Sequence, residues 1–186
     1  MADTNTTRPG ATTGFVLTGV GLGACLGALT NAVSGRISPT YFRNVMRWEE
    51  INDIPRAAIA QGIFEGILFG LAFSIIFVIV VGIVARARCP YWLGVKYLLF
   101  TVAAALVCWM LGGLTAMGLA ALSPELFQNA FRGVPDEFGG MIRYAWVGGS
   151  IQGLTLGGLA GIVVAAVLFR AKWRTMVEEH STGANS

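Results

Sequence analysis

Four long apolar runs, at residues 14–34, 57–85, 95–122 and 144–169, constrain this chain more than any other feature. A helix needs about 20 largely apolar residues to cross a bilayer, and each run is long enough. Composition agrees: 55% of the 186 residues are hydrophobic, 12% are charged and 25 are glycine. A soluble domain carries about 25% charged residues and roughly 7% glycine, so too little polar surface remains here for a soluble globule. Disorder is excluded by the abundance of large apolar residues, and collagen-like order by the lack of a strict three-residue glycine period. The expected class is an all-α integral membrane protein with four transmembrane helices and the lipid bilayer as its first partner.

The flanks of the runs fit that class. Arg86 and Arg88 close the second run, and Arg170, Lys172 and Arg174 close the fourth. Tyr91, Trp92 and Trp173 stand where an aromatic belt meets the headgroups. Residues 1–13 read as a polar, disordered lead, 86–94 as a basic middle loop, and 170–186 as a basic and then polar tail, disordered over its last ten or so residues. Asn5-Thr6-Thr7 matches a glycosylation sequon with nothing else to support it. The first run lacks the basic segment that precedes a cleaved signal sequence and is long for one, so it is read as retained. The short middle loop and the basic cluster after Phe169 favour both termini in the cytoplasm of a bacterial inner membrane.

The order of residues within the runs points to a tandem duplication. Gly27, Leu29, Thr30, Ser38, Pro39, Phe42, Asn44 and Arg47 align with Gly112, Leu114, Thr115, Ser123, Pro124, Phe127, Asn129 and Arg132. After a two-residue shift, Arg56, Ala58, Gly62, Gly66 and Gly70 align with Arg143, Ala145, Gly149, Gly153 and Gly157. Each repeat, 14–85 and 95–169, holds a helix, an amphipathic connection and a second helix. Two spans per repeat make the repeats parallel, with both connections on the same membrane face. Ser38-Pro39 and Ser123-Pro124 read as helix starts, with serine capping and proline at the first helical position. Interfacial helices are expected over about 39–48 and 124–132. Tyr41, Phe42, Val45 and Met46 form the apolar stripe of the first, and Leu126, Phe127, Ala130 and Phe131 that of the second. Arg43, Asn44 and Arg47, like Gln128, Asn129 and Arg132, are expected to face away.

Glycine and other small residues recur every fourth position on all four runs: Gly19, Gly23 and Gly27; Gly62, Gly66 and Gly70; Cys108, Gly112 and Ala116; Gly149, Gly153, Gly157 and Gly161. That spacing keeps small side chains on one helix face, where two backbones approach closely. These glycines read as small-xxx-small packing seams, not as nucleotide loops or hinges.

Glu65 is the only acidic residue well inside a run. An ionisable group within a membrane is a functional hypothesis by default, because it is costly there unless paired or hydrated. The repeat aligns Glu65 with Gln152, its neutral isostere. Two readings stand: hydrogen-bonded glue through Gln61, Gln152, Arg56 or Arg143, or a site for ion or proton handling. Asn31 reads as another interhelical hydrogen-bonding residue, and Trp109 and Trp146 as lining a groove or facing lipid.

Cys25, Cys89 and Cys108 form no zinc or disulfide pattern, and the one histidine, His180, lies in the tail. No cofactor, metal or nucleic-acid partner is expected, and no catalytic set is apparent. The leading reading is a non-enzymatic scaffold or accessory subunit, forming homo-oligomers or joining other membrane subunits through glycine-rich faces. The alternative is an ion or proton channel or transporter with Glu65 and Gln152 on its pathway.

Overall fold

The computed structural model describes the backbone of residues 9–85 and 91–183 and the side chains of residues 12–83 and 91–175. Asn5, Arg86, Arg88 and Cys89 and the side chain of His180 lie outside these. Among the described residues the chain is helical: α1 (Pro9–Ile37), α2 (Pro39–Met46), α3 (Ile54–Ala85), α4 (Tyr91–Leu122), α5 (Pro124–Ala130) and α6 (Phe138–Gly183). Four of them contain stretches long and apolar enough to cross a membrane: Thr12–Ile37, Ile54–Ile83, Tyr91–Leu122 and Phe138–Thr175.

The helices outrun the apolar runs. α1 starts at Pro9, inside the lead expected to be disordered, and α4 starts at Tyr91, inside the expected middle loop. α6 is one helix of 46 residues where a 26-residue span and a disordered tail were expected. At 1.5 Å per residue it is about 69 Å long, more than twice a hydrocarbon core of about 30 Å. Hydropathy marks where lipid ends, whereas a helix ends at a breaker or a cap. Between Phe169 and Gly183 there is neither glycine nor proline, and Arg, Lys, Ala, Met and Glu are good helix formers.

Both Ser-Pro sites begin short helices with proline in the first turn. The Ser38 hydroxyl accepts the Tyr41 backbone N–H at 3.3 Å. Ser123 occupies the same position on α5, but its side chain makes no capping bond, so the expected second cap is absent. Asp53 instead supplies a cap that the motif did not indicate: its Oδ1 accepts the Arg56 backbone N–H at 3.2 Å at the start of α3. Ser38→Ala should therefore lower stability by about 1 kcal/mol, the usual value of an N-cap bond, and Ser123→Ala by much less. Thermal midpoints of the two variants in the same detergent check the difference.

α1 packs along α3 and α4 along α6, giving two antiparallel helix pairs whose mutual contacts are far fewer. The short helices α2 and α5 lie at one end of the bundle. Phe42 of α2 is fully buried against Ile54, Ala58 and Val147, and Phe127 of α5 is buried with Ala120, Met141 and Tyr144. The rest of the expected apolar stripes is less engaged: Val45 is 47% exposed, Leu126 58% and Phe131 41%. A helix of about two turns presents few side chains to the core, and α5 ends at Ala130 with Phe131 already extended. The two helices also differ in placement. α2 reaches α1, α3 and α6, whereas α5 packs mainly on α4. Asn44 donates its side-chain amide to the Gly133 carbonyl, tying α2 to the turn after α5. Gly133 has φ +72°, a left-handed conformation that suits glycine.

At the opposite end Phe15, Phe73, Phe77 and Phe169, with Leu98, form a buried, largely aromatic cluster drawn from all four long helices. Phe15 stacks on Phe77 with ring centroids 5.1 Å apart, and Phe169 lies 5.7 Å from Phe77. Trp173 stacks on Phe169, so the aromatic expected at the headgroups also extends this cluster.

Candidate functional site

The geometry of the site begins with glycine. On the α1–α3 pair, a Cβ on Gly27 would strike the Gly62 carbonyl and one on Gly62 would strike the Gly27 carbonyl. The same crowding holds between Gly23 and Gly66, while Gly19 meets Ser74 and Gly70. On the α4–α6 pair, Gly112 meets Gly149 and Gly153, Gly157 meets Cys108, and Gly161 meets Thr101. At these glycines the helices of each pair come too close to admit a Cβ without a shift.

Where the two pairs face each other a cavity of about 130 Å³ remains, lined from all four long helices. Its lining is largely apolar, with Leu26, Phe69, Leu98, Val102 and Leu154 among the larger side chains. Its polar members are Glu65, Asn31, Thr30, Thr101 and Thr155. The three threonine hydroxyls donate to their own helices: Thr30 to Leu26 O at 2.9 Å, Thr101 to Tyr97 O at 3.1 Å and Thr155 to Ile151 O at 3.1 Å. Back-bonding of this kind satisfies a hydroxyl proton without a partner helix.

Glu65 stands 11 residues into α3, about 17 Å from the helix start. It is partly buried, and its Oε1 accepts the Gln61 side-chain amide at 2.8 Å, a pair one helical turn apart. Asn31 is only 5% exposed. A Cβ on Gly62 would lie 2.7 Å from the Asn31 Cβ, so Asn31 stands beside α3 one turn from Glu65. Among the described residues the Asn31 amide has no hydrogen-bond partner.

The other residues expected at this site are not brought to it. Arg56 is exposed and pairs with Asp53, Nε to Oδ2 at 3.1 Å. Arg143 is exposed at the start of α6. Gln152 is exposed on α6 and does not line the cavity, although Ile151, Leu154 and Thr155 do. Glu65 and Gln152, expected to correspond, hold different places in the bundle. Of the connection residues, Asn44 reaches Gly133, while Asn129 and the side chains of Arg47 and Arg132 are exposed.

Tyr41, on α2, adds a group near Glu65 that the sequence reading treated only as part of an apolar stripe. Its ring lies 5.0 Å from that of Tyr144, and a Cβ on Gly148 would be 3.1 Å from it. Burial raises the pKa of the Tyr41 phenol above its usual value, and the negative charge of Glu65 raises it further. The Tyr144 hydroxyl donates to the Arg132 carbonyl at 2.7 Å. Trp109 and Trp146 meet edge to face with centroids 5.5 Å apart, inside the bundle and off the cavity. The Trp146 ring covers Gly113, where a Cβ would be 2.6 Å from Cε3.

Thr30 had a sequence signal, since it lies three residues from Gly27 on a face already marked by small residues. Thr101, Thr155 and Tyr41 had none, because nothing local tells which face of α4, α6 or α2 turns to the cavity. Among the described residues no three His, Cys, Asp or Glu side chains assemble as a metal set. The chemistry on offer is that of one carboxylate and one carboxamide at the side of an apolar space. No protein-family model, curated protein or solved structure matches the chain.

Proposed function

We propose that this non-enzymatic membrane protein is a transporter in which two tightly bound helix pairs close on a site at Glu65. The cavity carries this reading: it lies where the pairs meet, draws on all four long helices, and includes the one carboxylate of the four spans. Tight packing within each pair and sparse contact between pairs suit two bodies that move against each other around a central site. The aromatic cluster of Phe15, Phe77 and Phe169 stands across the way to the end remote from α2 and α5. That barrier favours a carrier with alternating access over a continuously open channel.

Reading the two pairs as tandem duplicates supports the same mechanism. Both pairs bring aligned glycines backbone to backbone, Gly27 with Gly62 and Gly112 with Gly149. The duplicates then diverged: only the first keeps a carboxylate on the cavity, and only the first sends its connecting helix over the bundle centre. With both termini in the cytoplasm of a bacterial inner membrane, α2 and α5 would lie outside and the aromatic cluster would close the cytoplasmic side. The scaffold reading relied on glycine faces free to recruit homo-oligomeric or other membrane partners. A Cβ on these glycines would meet other helices of the same chain, which favours the transporter reading over it.

The test is flux in liposomes holding the purified protein, for protons and for monovalent cations, with Glu65→Gln beside the unaltered chain. Transport that depends on Glu65 supports the proposal; no flux, or flux indifferent to the substitution, sinks it.

A further inference from the structure

Resting on the reading of Glu65 as the central site, we infer that the cavity takes a small hydrophobic amine in its protonated form. The ammonium would lie on Glu65 and Asn31, and the apolar body against Leu26, Phe69, Leu98 and Leu154.

Charge sets the sign of the ligand. Within the four spans Glu65 is the only acidic residue. The basic groups near its end of the bundle are engaged or turned outward: Arg56 is paired with Asp53, Arg36 is exposed with its guanidinium donating to Ala32 O at 2.8 Å, and Arg43, Arg47, Arg132 and Arg143 are exposed. Among the described residues no cation pairs with the carboxylate, and an anionic ligand would be repelled. A carboxylate in a membrane needs such a partner or water.

Hydrogen bonding sets the kind of headgroup. Gln61 supplies one donor to Oε1. Among the described residues Oε2 has none, and the Asn31 amide, though 5% exposed, is also without a partner. Asn31 is buried and Glu65 partly buried, and unpaired groups of this kind are uncommon in native interiors, so the two beside one cavity point to a ligand that completes them. An ammonium carries three donors and no acceptor, which matches a carboxylate oxygen and a carboxamide oxygen lining one cavity. A bare metal cation fits less well. Magnesium and calcium need six or more oxygen ligands, and most of this wall is hydrocarbon.

Volume sets the size. The cavity measures about 130 Å³, close to the roughly 150 Å³ apolar cavity that accommodates one benzene molecule. This volume bounds the ligand at one ring with no more than a short aminoalkyl arm.

The experiment is equilibrium binding of 2-phenylethylamine to the full chain in detergent, beside two probes of the same shape, neutral 2-phenylethanol and anionic phenylacetate. The amine should bind saturably, and both other probes at least about tenfold more weakly, the ratio expected when a charge-assisted hydrogen bond is lost. Glu65→Gln, which keeps the shape and a partner for Gln61, should weaken the amine by a similar factor. A second variant guards against an effect on folding. A Cβ on Gly158, a lining residue, meets nothing within 4 Å, so Gly158→Leu should enter the cavity from an unobstructed position and remove binding. Equal affinity for amine and alcohol, or amine binding that survives both substitutions, overturns the inference. Flux of protons, monovalent cations and the amine, with the same proteins in liposomes, separates the two proposals. Glu65-dependent flux without amine binding overturns the ligand assignment and leaves the transporter standing. Amine binding without any flux supports the site and overturns the transporter.

Discussion

Gly66→Leu should cost the chain its folded state in detergent, while Gly21→Leu should leave it intact. A Cβ at position 66 would strike the Gly23 carbonyl oxygen and lie 2.7 Å from the Gly23 carbonyl carbon and 3.0 Å from the Ala24 Cα. All three obstacles are in or bonded to the backbone of α1, so no rotamer change relieves them. The alternative is to part the two helices along their length, and the dispersion contacts at Gly19, Gly27, Gly62 and Gly70 would go with the separation. Overpacking usually costs about 1–3 kcal/mol, and a backbone obstacle in a rigid pair belongs at or beyond the upper end. Alanine at 66 should already lower the thermal midpoint clearly. Around Gly21 an added Cβ meets nothing within 4 Å, and α1 there faces outward. Midpoints and monodispersity of the two leucine variants in one detergent decide it. Equal behaviour would mean that the α1–α3 approach does not hold the pair together.

Glu65→Gln should reduce flux at least about tenfold, corresponding to 1.4 kcal/mol of lost interaction with the transported cation or proton. Glutamine has the same shape and keeps an oxygen to accept the Gln61 amide, so the helix pair should stay assembled. What disappears is the negative charge and the ability to take up and release a proton. The companion substitution is more discriminating. Gln152→Leu should leave flux unchanged, because Gln152 is exposed on α6 and stands off the cavity, despite its aligned place in the sequence. A strong effect of Gln152→Leu would show that the pathway follows the sequence symmetry and not the observed cavity.

Much of this architecture was legible because it is local. Twenty apolar residues in a row dictate a spanning helix whatever surrounds them, since the backbone has no other way to satisfy its polar groups in hydrocarbon. Ser-Pro announces a helix start for equally local reasons, and α2 and α5 begin at Pro39 and Pro124. Helix ends were less legible. α6 continues through Arg170, Lys172 and Arg174 because charge ends the hydrophobic segment without ending the hydrogen-bond ladder. The capping of Ser38 but not Ser123 lay beyond a shared motif, because a cap bond turns on a side-chain rotamer.

Residue types and their spacing alone determined the membrane-spanning class, the four helices, the small-residue faces and the singular position of Glu65. Each follows from composition or from the helical repeat, which operate within a few residues. Only the tertiary structure decided what those faces meet. It set α1 on α3 and α4 on α6, left the cavity between the pairs, turned Asn31 and Glu65 toward it and turned Gln152 away. Such choices depend on how side chains more than 30 residues apart fill space together. Two segments with nearly the same pattern can therefore occupy different surroundings.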